Sequence, residues 1–129
     1  LFGALRKNKY VLQKFEINKD SEFVRRTMNF LQEYISFPIT SRDAANELYM
    51  NHSYFCRLFK KTFGFPFANY ALMYRLEKAR IYLTSSAMSV VDIAYRLGFN
   101  SCSYFGKTFK ERFRMSPLSY RKSKTAKYS

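Results

Sequence analysis

The chain carries one pattern twice. Tyr54-Phe55-x-Arg57-x-Phe59-Lys60-x-x-Phe63 returns fifty residues later as Tyr104-Phe105-x-Lys107-x-Phe109-Lys110-x-x-Phe113. Thr40, Asp43, Ala45 and Leu48 return forty-nine residues later as Ser89, Asp92, Ala94 and Leu97, and Tyr70 matches Tyr120. The one-residue difference between the two offsets must sit in the turn between the halves of each copy, which is longer in the second. Two copies are too few for a stacked solenoid. Each copy must instead be a small unit with its own caps and its own aromatic stripe.

The second copy, Ser89 to Tyr120, reads as follows. Ser89 is a candidate N-cap, with Asp92 at the capping-box position. Ile93, Ala94 and Leu97 repeat at helical spacing, and Gly98 suits a tight turn that needs φ > 0. A second helical pattern then places Phe105, Phe109 and Phe113 on one face and Ser103, Gly106, Lys107 and Lys110 on the other. A short capped helix, a tight turn and a second helix with small, polar and basic residues outward make a helix-turn-helix. In that arrangement the second helix enters the DNA major groove.

Along the chain, residues 1–20 show no clear period and read as a connector to, or remnant of, an upstream region; the first residue is Leu1 rather than Met. Ser21 to Ile35 is amphipathic, with Phe23, Val24, Thr27, Phe30, Leu31, Tyr34 and Ile35 at core spacing. Pro38 ends that helix. The first helix-turn-helix spans about 40–64: Thr40 with Asp43 starts a helix that turns Ala44, Ala45 and Leu48 inward, and Asn51 caps the helix His52 to Phe63. That helix buries Phe55, Leu58, Phe59 and Thr62 or Phe63. Gly64 suits the left-handed closing position. Pro66 suits the first turn of a linker helix over about 66–83, about 27 Å long at 1.5 Å per residue, with Tyr70, Met73, Leu76, Ala79 and Leu83 supplying its packing. The second helix-turn-helix spans about 89–113, Pro117 starts a short last helix, and Arg121 to Ser129 is expected to be a frayed basic tail. The fold class is all-α: two helix-turn-helix units joined by a long central helix, within a domain over 21–129.

Charge narrows the function. The 129 residues hold 23 Lys and Arg against 9 Asp and Glu, a formal net charge of +14, far beyond what solubility requires. The excess implies an anionic partner, nucleic acid first and an anionic membrane surface second. The cations are interleaved with aromatics on helices, which is unlike a disordered basic arm. No apolar run approaches the length of a membrane-spanning helix. Cys56 and Cys102, the 2 cysteines, lack CxxC spacing and suggest free thiols in a reducing compartment, with a cytoplasmic location. A single His excludes a multi-histidine metal site, and no cofactor is expected. With no converging carboxylate pair, no nucleophile–His pair near in sequence and no phosphate loop, the chain is not expected to be an enzyme.

The stretch IAYRLGFNSCSYFGKTFKERFRMSPLSYR, residues 93–121, is similar almost throughout to the signature of the AraC/XylS transcription regulators. YFCRLFKKTFG at 54–64 and YRLEKARIYL at 74–83 also resemble that family, and the resemblance covers about 21–122. It implies a seven-helix domain with two recognition helices held apart by the central helix. It also implies a bacterial protein that controls transcription on double-stranded DNA, usually as an activator working with RNA polymerase, coupled to a sensor or receiver domain elsewhere. Two positions depart from the pattern. Arg114 stands where the family commonly has Gly, so a φ > 0 there would carry about 1 kcal/mol or more of strain. Tyr49 stands where the second copy has Gly98, so the first turn is expected to be built differently.

The N-terminal turn of each recognition helix should approach base edges: His52, Ser53, Cys56 and Arg57 in the first copy, Cys102, Ser103, Gly106 and Lys107 in the second. Arg57 is the strongest candidate for direct readout, because Arg bonds guanine O6 and N7 bidentately; the alternative is a pair with a local acid. The short side chains of the second set suggest close approach with weaker base discrimination. Lys60, Lys61 and Lys110, with Asn51, Asn100 and Ser101 at the helix starts, are candidates for phosphate; the alternative for the lysines is ordinary solvated charge. Phe59, Phe63, Phe109 and Phe113 are expected in the core, and Tyr54 and Tyr104 half-buried. A rival reading is a basic helical module docking to a protein or an anionic membrane, which would want a broad exposed apolar face.

Overall fold

The structure, a computed structural model, describes residues 18–128, with side chains over 22–124. Seven helices and no strand occur among the described residues: α1 (Asn18–Tyr34), α2 (Ser41–Glu47), α3 (His52–Phe63), α4 (Phe67–Ser85), α5 (Val90–Arg96), α6 (Cys102–Phe113) and α7 (Pro117–Tyr128). The connector predicted over 1–20 lies outside the described residues except for its last three, which open α1. No helix among the described residues is long and apolar enough to cross a membrane.

Two separate cores follow from the repeat. The first gathers Leu31 of α1, Ala44 and Ala45 of α2, Phe55 and Phe59 of α3, and Phe67 and Ala71 from the start of α4. The second gathers Leu76, Ala79 and Leu83 from the rest of α4 with Ile93 and Ala94 of α5, Phe105 and Phe109 of α6 and Tyr120 of α7. The 19-residue helix α4 therefore closes one unit with its first turns and opens the next with its last, so its apolar residues do not keep to one stripe. Pro66 stands just ahead of it, with φ −58° and ψ 153°, as the capping residue rather than inside the first turn. The aromatic packing repeats as well. Tyr70 meets Phe59 edge-on with ring centroids 5.6 Å apart, and Tyr120 meets Phe109 in the same way at 5.6 Å. Phe59 and Phe63 stack at 4.2 Å, while Phe109 and Phe113 tilt at 4.6 Å.

The caps are those the sequence calls for, with one difference. Thr40 forms the full box: its hydroxyl accepts from the Asp43 amide at 3.1 Å, and its own amide donates to Asp43 Oδ2 at 2.9 Å. Ser89 shows the hydroxyl half, accepting from the Asp92 amide at 3.0 Å. Asn51 and Ser101 accept from the Tyr54 and Tyr104 amides, each at 3.0 Å.

The turn with Tyr49 corrects the sequence reading. It is built like its counterpart: Tyr49 takes φ 57° and Gly98 takes φ 80°. The amides of Tyr49 and Met50 donate to Asn46 and Ala45, as those of Gly98 and Phe99 donate to Tyr95 and Ala94. The extra residue of the second copy is Asn100, placed after this shared turn and before the Ser101 cap. Surroundings explain the choice of residue. Tyr49 is 93% exposed and bears only the left-handed strain, whereas a Cβ on Gly98 would lie 2.8 Å from the Ile35 carbonyl oxygen. Gly64 closes α3 at φ 88°. Arg114 closes α6 in the same region at φ 68°, so it carries the strain expected of a residue with a Cβ there.

The last helix also differs from expectation. Where a frayed tail was predicted from Arg121, α7 continues to Tyr128. Tyr120 is buried, and Arg121 donates to the carbonyls of Leu83 at 2.9 Å and Ser86 at 3.3 Å, so the helix is fastened to the end of α4. Arg75 does the same one unit earlier, donating from Nε to Ile35 O at 3.3 Å and from Nη2 to Phe37 O at 2.8 Å. In each case a guanidinium donates to carbonyls at or just beyond a helix end, where the helix itself leaves acceptors without a partner.

Candidate nucleic-acid interface

The aromatic stripe of each second helix decides what its other face can present. With Phe55 and Phe59 of α3 and Phe105 and Phe109 of α6 fully buried, the helical period turns the opposite side of each helix outward. Ser53, Arg57, Lys60 and Lys61 are exposed on α3, and Ser103, Lys107 and Lys110 on α6. The two outer faces thus carry hydroxyls at the N-terminal turn and cations beyond it. Arg57 is exposed and makes no ion pair among the described residues. Arg112, by contrast, is engaged with Glu77 at 3.6 Å.

The half-buried candidates are held in place. His52 Nε2 shares a hydrogen bond with Ser41 Oγ at 2.8 Å and lies 3.5 Å from Cys56 Sγ. The ring therefore bridges α2 and α3 at the mouth of the first turn and steadies the base of the outer face. Sequence reasoning missed Ser41, because the pair is eleven residues apart on different helices. The second unit has no such bridge: Val90 stands in the place of Ser41 and Cys102 in that of His52. Cys56 and Cys102 are both free thiols and half-buried. Asn51 is exposed and uses its side-chain oxygen on the Tyr54 amide, leaving its NH2 group outward. Asn100 is exposed, and Ser101, half-buried, spends its hydroxyl on the cap of α6. Tyr54 and Tyr104 are 51% and 49% exposed.

Gly106 stands out for what it does not do. A Cβ added there would meet nothing within 4 Å. Glycine inside a helix costs about 0.5–1 kcal/mol relative to alanine, and no crowding within the protein asks for it. Its effect is to leave the outer face of α6 flat, so that backbone can approach whatever lies opposite.

Each outer face is basic and polar and is built on a capped helix pair, and the described residues offer no cluster of three or more metal-ligating groups. Comparison with known proteins agrees in kind. A family model described as a helix-turn-helix domain matches residues 44–123. The chain is 32% identical over 98 residues to the regulatory protein PocR of Salmonella typhimurium, covering 76% of this chain and 32% of PocR. It thus spans about a third of that relative's length. Among solved structures, a transcriptional regulator of Chromobacterium violaceum described as containing an AraC-type DNA-binding domain superposes with a TM-score of 0.75 at 25% identity, covering 83% of this chain and 96% of that one. The DNA-binding domain of the global transcriptional factor AdpA, solved in complex with a target DNA, matches with a TM-score of 0.75 at 25% identity, covering 78% of this chain and 91% of that one.

Proposed function

The chain belongs to the AraC/XylS family of helix-turn-helix, DNA-binding transcription regulators, and we propose that it reads a specific double-stranded sequence with α3 and α6 in two adjacent major-groove segments on one face of the duplex. The observation that carries this reading is the repetition of one outward face on both second helices, Ser53 and Arg57 on α3 matched by Ser103 and Lys107 on α6. Arg57 reads a base edge, guanine by its bidentate preference. His52, Ser53 and Cys56 fill the groove around it. Cys102, Ser103, Gly106 and Lys107 form a flatter reader that comes closer and discriminates less. Lys60, Lys61 and Lys110, with Asn51, Asn100 and Ser101 at the helix starts, hold phosphate. Such adjacent segments lie about 34 Å apart, one helical turn, and a stiff α4 requires the duplex to bend or α6 to bind more loosely.

The full protein joins this domain to a sensor or receiver domain, and it acts in the cytoplasm by activating transcription with RNA polymerase. The docking alternative needs a broad free apolar face, and the apolar stripes of both units are covered by their own cores.

Selection of binding sites from random duplexes, followed by hydroxyl-radical footprinting, tests the proposal. Two protected segments one helical turn apart are expected, with affinity falling steeply as salt rises. Protection of one segment, with Lys107→Ala causing no loss, would remove the two-helix reading. Failure to enrich any sequence would remove specific recognition altogether.

A further inference from the structure

The two cores share no buried residue, and the extensive helix packing lies within each unit or on α4. The structure adds a second link at the turn that follows α1. From α4, Arg75 reaches back about forty residues to donate to Ile35 O and Phe37 O. From the second unit, Gly98 comes against the same turn, with its Cβ position 2.8 Å from Ile35 O and 3.0 Å from the Ser36 carbonyl carbon. The Ile35–Phe37 segment is thereby held by Arg75 of α4, the helix both units share, and by Gly98 of the second unit. A cleft lined by Ile39, Leu72, Phe99 and Tyr104 runs between the units beside this point.

Arg75 is a poor choice for stability alone. It is half-buried, no carboxylate pairs with it among the described residues, and burial pushes its guanidinium below the usual range, with nearby Tyr104 acting the other way. Removing a cation from water without a carboxylate is costly, and the hydrogen bonds Arg75 makes among the described residues are a fork of fixed direction onto backbone carbonyls. Gly98 likewise holds a position that no residue with a side chain could fill without moving the turn.

We propose that Arg75 and Gly98, closing on the Ile35–Phe37 turn, form a clamp that fixes the angle between α3 and α6 and so sets the half-site spacing this domain accepts. The clamp stands on the geometry alone; the spacing it sets rests on the two-helix reading above.

Two arms test it and fail separately. In the first, DNA-free protein carries spin labels at Ser53→Cys and Ser103→Cys, with Cys56→Ser and Cys102→Ser, and the distance between them is measured by double electron–electron resonance. A narrow distribution is expected in the parent, broadened about twofold or more by Arg75→Met as the fork is lost, and shifted in mean by Gly98→Ala. An unchanged distribution in a folded Arg75→Met protein overturns the clamp. Should Arg75→Met not fold, Arg75→Lys and Gly98→Ala decide on the same criterion. In the second arm, without labels, affinity is measured on duplexes whose half-sites are separated by a series of spacers. The parent is expected to lose about tenfold one base pair from its optimum. Arg75→Met is expected to flatten that profile to about threefold while leaving single half-site affinity unchanged. An equal loss at every spacing, or no loss at any, overturns the assignment of spacing to Arg75. A parent that gains nothing from the second half-site overturns the two-helix reading, and the first arm still judges the clamp.

Discussion

Gly64 and Gly98 have almost the same backbone, φ 88° and φ 80°, yet their neighbours differ. Nothing lies within 4 Å of a Cβ at Gly64, whereas backbone atoms crowd one at Gly98. Gly64→Ala is expected to cost about 1 kcal/mol from the left-handed penalty. Gly98→Ala should cost that plus the displacement of the α1–α2 turn, about 2 kcal/mol or more in all. Urea unfolding of the two variants checks the order. Gly106 has the opposite economy: Gly106→Ala is expected to raise unfolding free energy by about 0.5–1 kcal/mol while weakening DNA binding, a split that separates fold from function. On the DNA side, Arg57→Ala should relax discrimination at one base by about 1–3 kcal/mol, whereas Lys60→Ala should weaken all sequences alike and lower the salt slope by about one. Binding titrations across a substitution series of the selected site distinguish the two. Much of this scale was legible beforehand. The outward set of α3 and α6 follows from four-residue spacing of the phenylalanines alone. The fastenings of Arg75 and Arg121 were not, because their carbonyl partners lie 35–40 residues away and a backbone carbonyl leaves no mark on sequence.

At the scale of elements, the two short first helices differ in how they begin. Each has only 7 residues, too few to be stable without help. Thr40 makes three hydrogen bonds with Asp43, one of them from its own backbone amide, where Ser89 makes one with the Asp92 amide. Thr40→Ala is therefore expected to cost about 1–2 kcal/mol and Ser89→Ala about 0.5–1 kcal/mol, read from thermal unfolding. An equal cost at both sites would mean that the reciprocal bond adds nothing. Caps were visible in the sequence because cap and acid are three residues apart and the chemistry is local. Where the sequence misleads, tertiary packing decides: α7 has the polar, Lys-rich composition of a loose tail after Tyr120, but Arg121 ties it to α4. Tyr49 is a similar case. An unfavourable residue suggests another turn, while the hydrogen bonds of the surrounding helices impose the same one.

For the molecule as a whole, α4 decides whether there are one or two folding units. Its first turns lie in one core and its remainder in the other, so neither unit keeps its core if the helix melts. Leu83→Ala, in the second core, is expected to cost about 2–5 kcal/mol and to lower protection of α3 and α6 amides together in native-state hydrogen exchange. Loss of protection in α6 with α3 unchanged would mean that the halves open independently.

The double role of α4 has a consequence for how chains of this kind lengthen. Tyr70 and Tyr120 sit alike against their phenylalanines, so the chain leaves each of them from the same packing. A copy of residues 71–128 grafted after Tyr120 is expected to hand α7 the work that α4 does and to build a third unit on the second. The domain is in that sense one construction carried out twice, with the middle helix serving as the last element of the first unit and the first of the second.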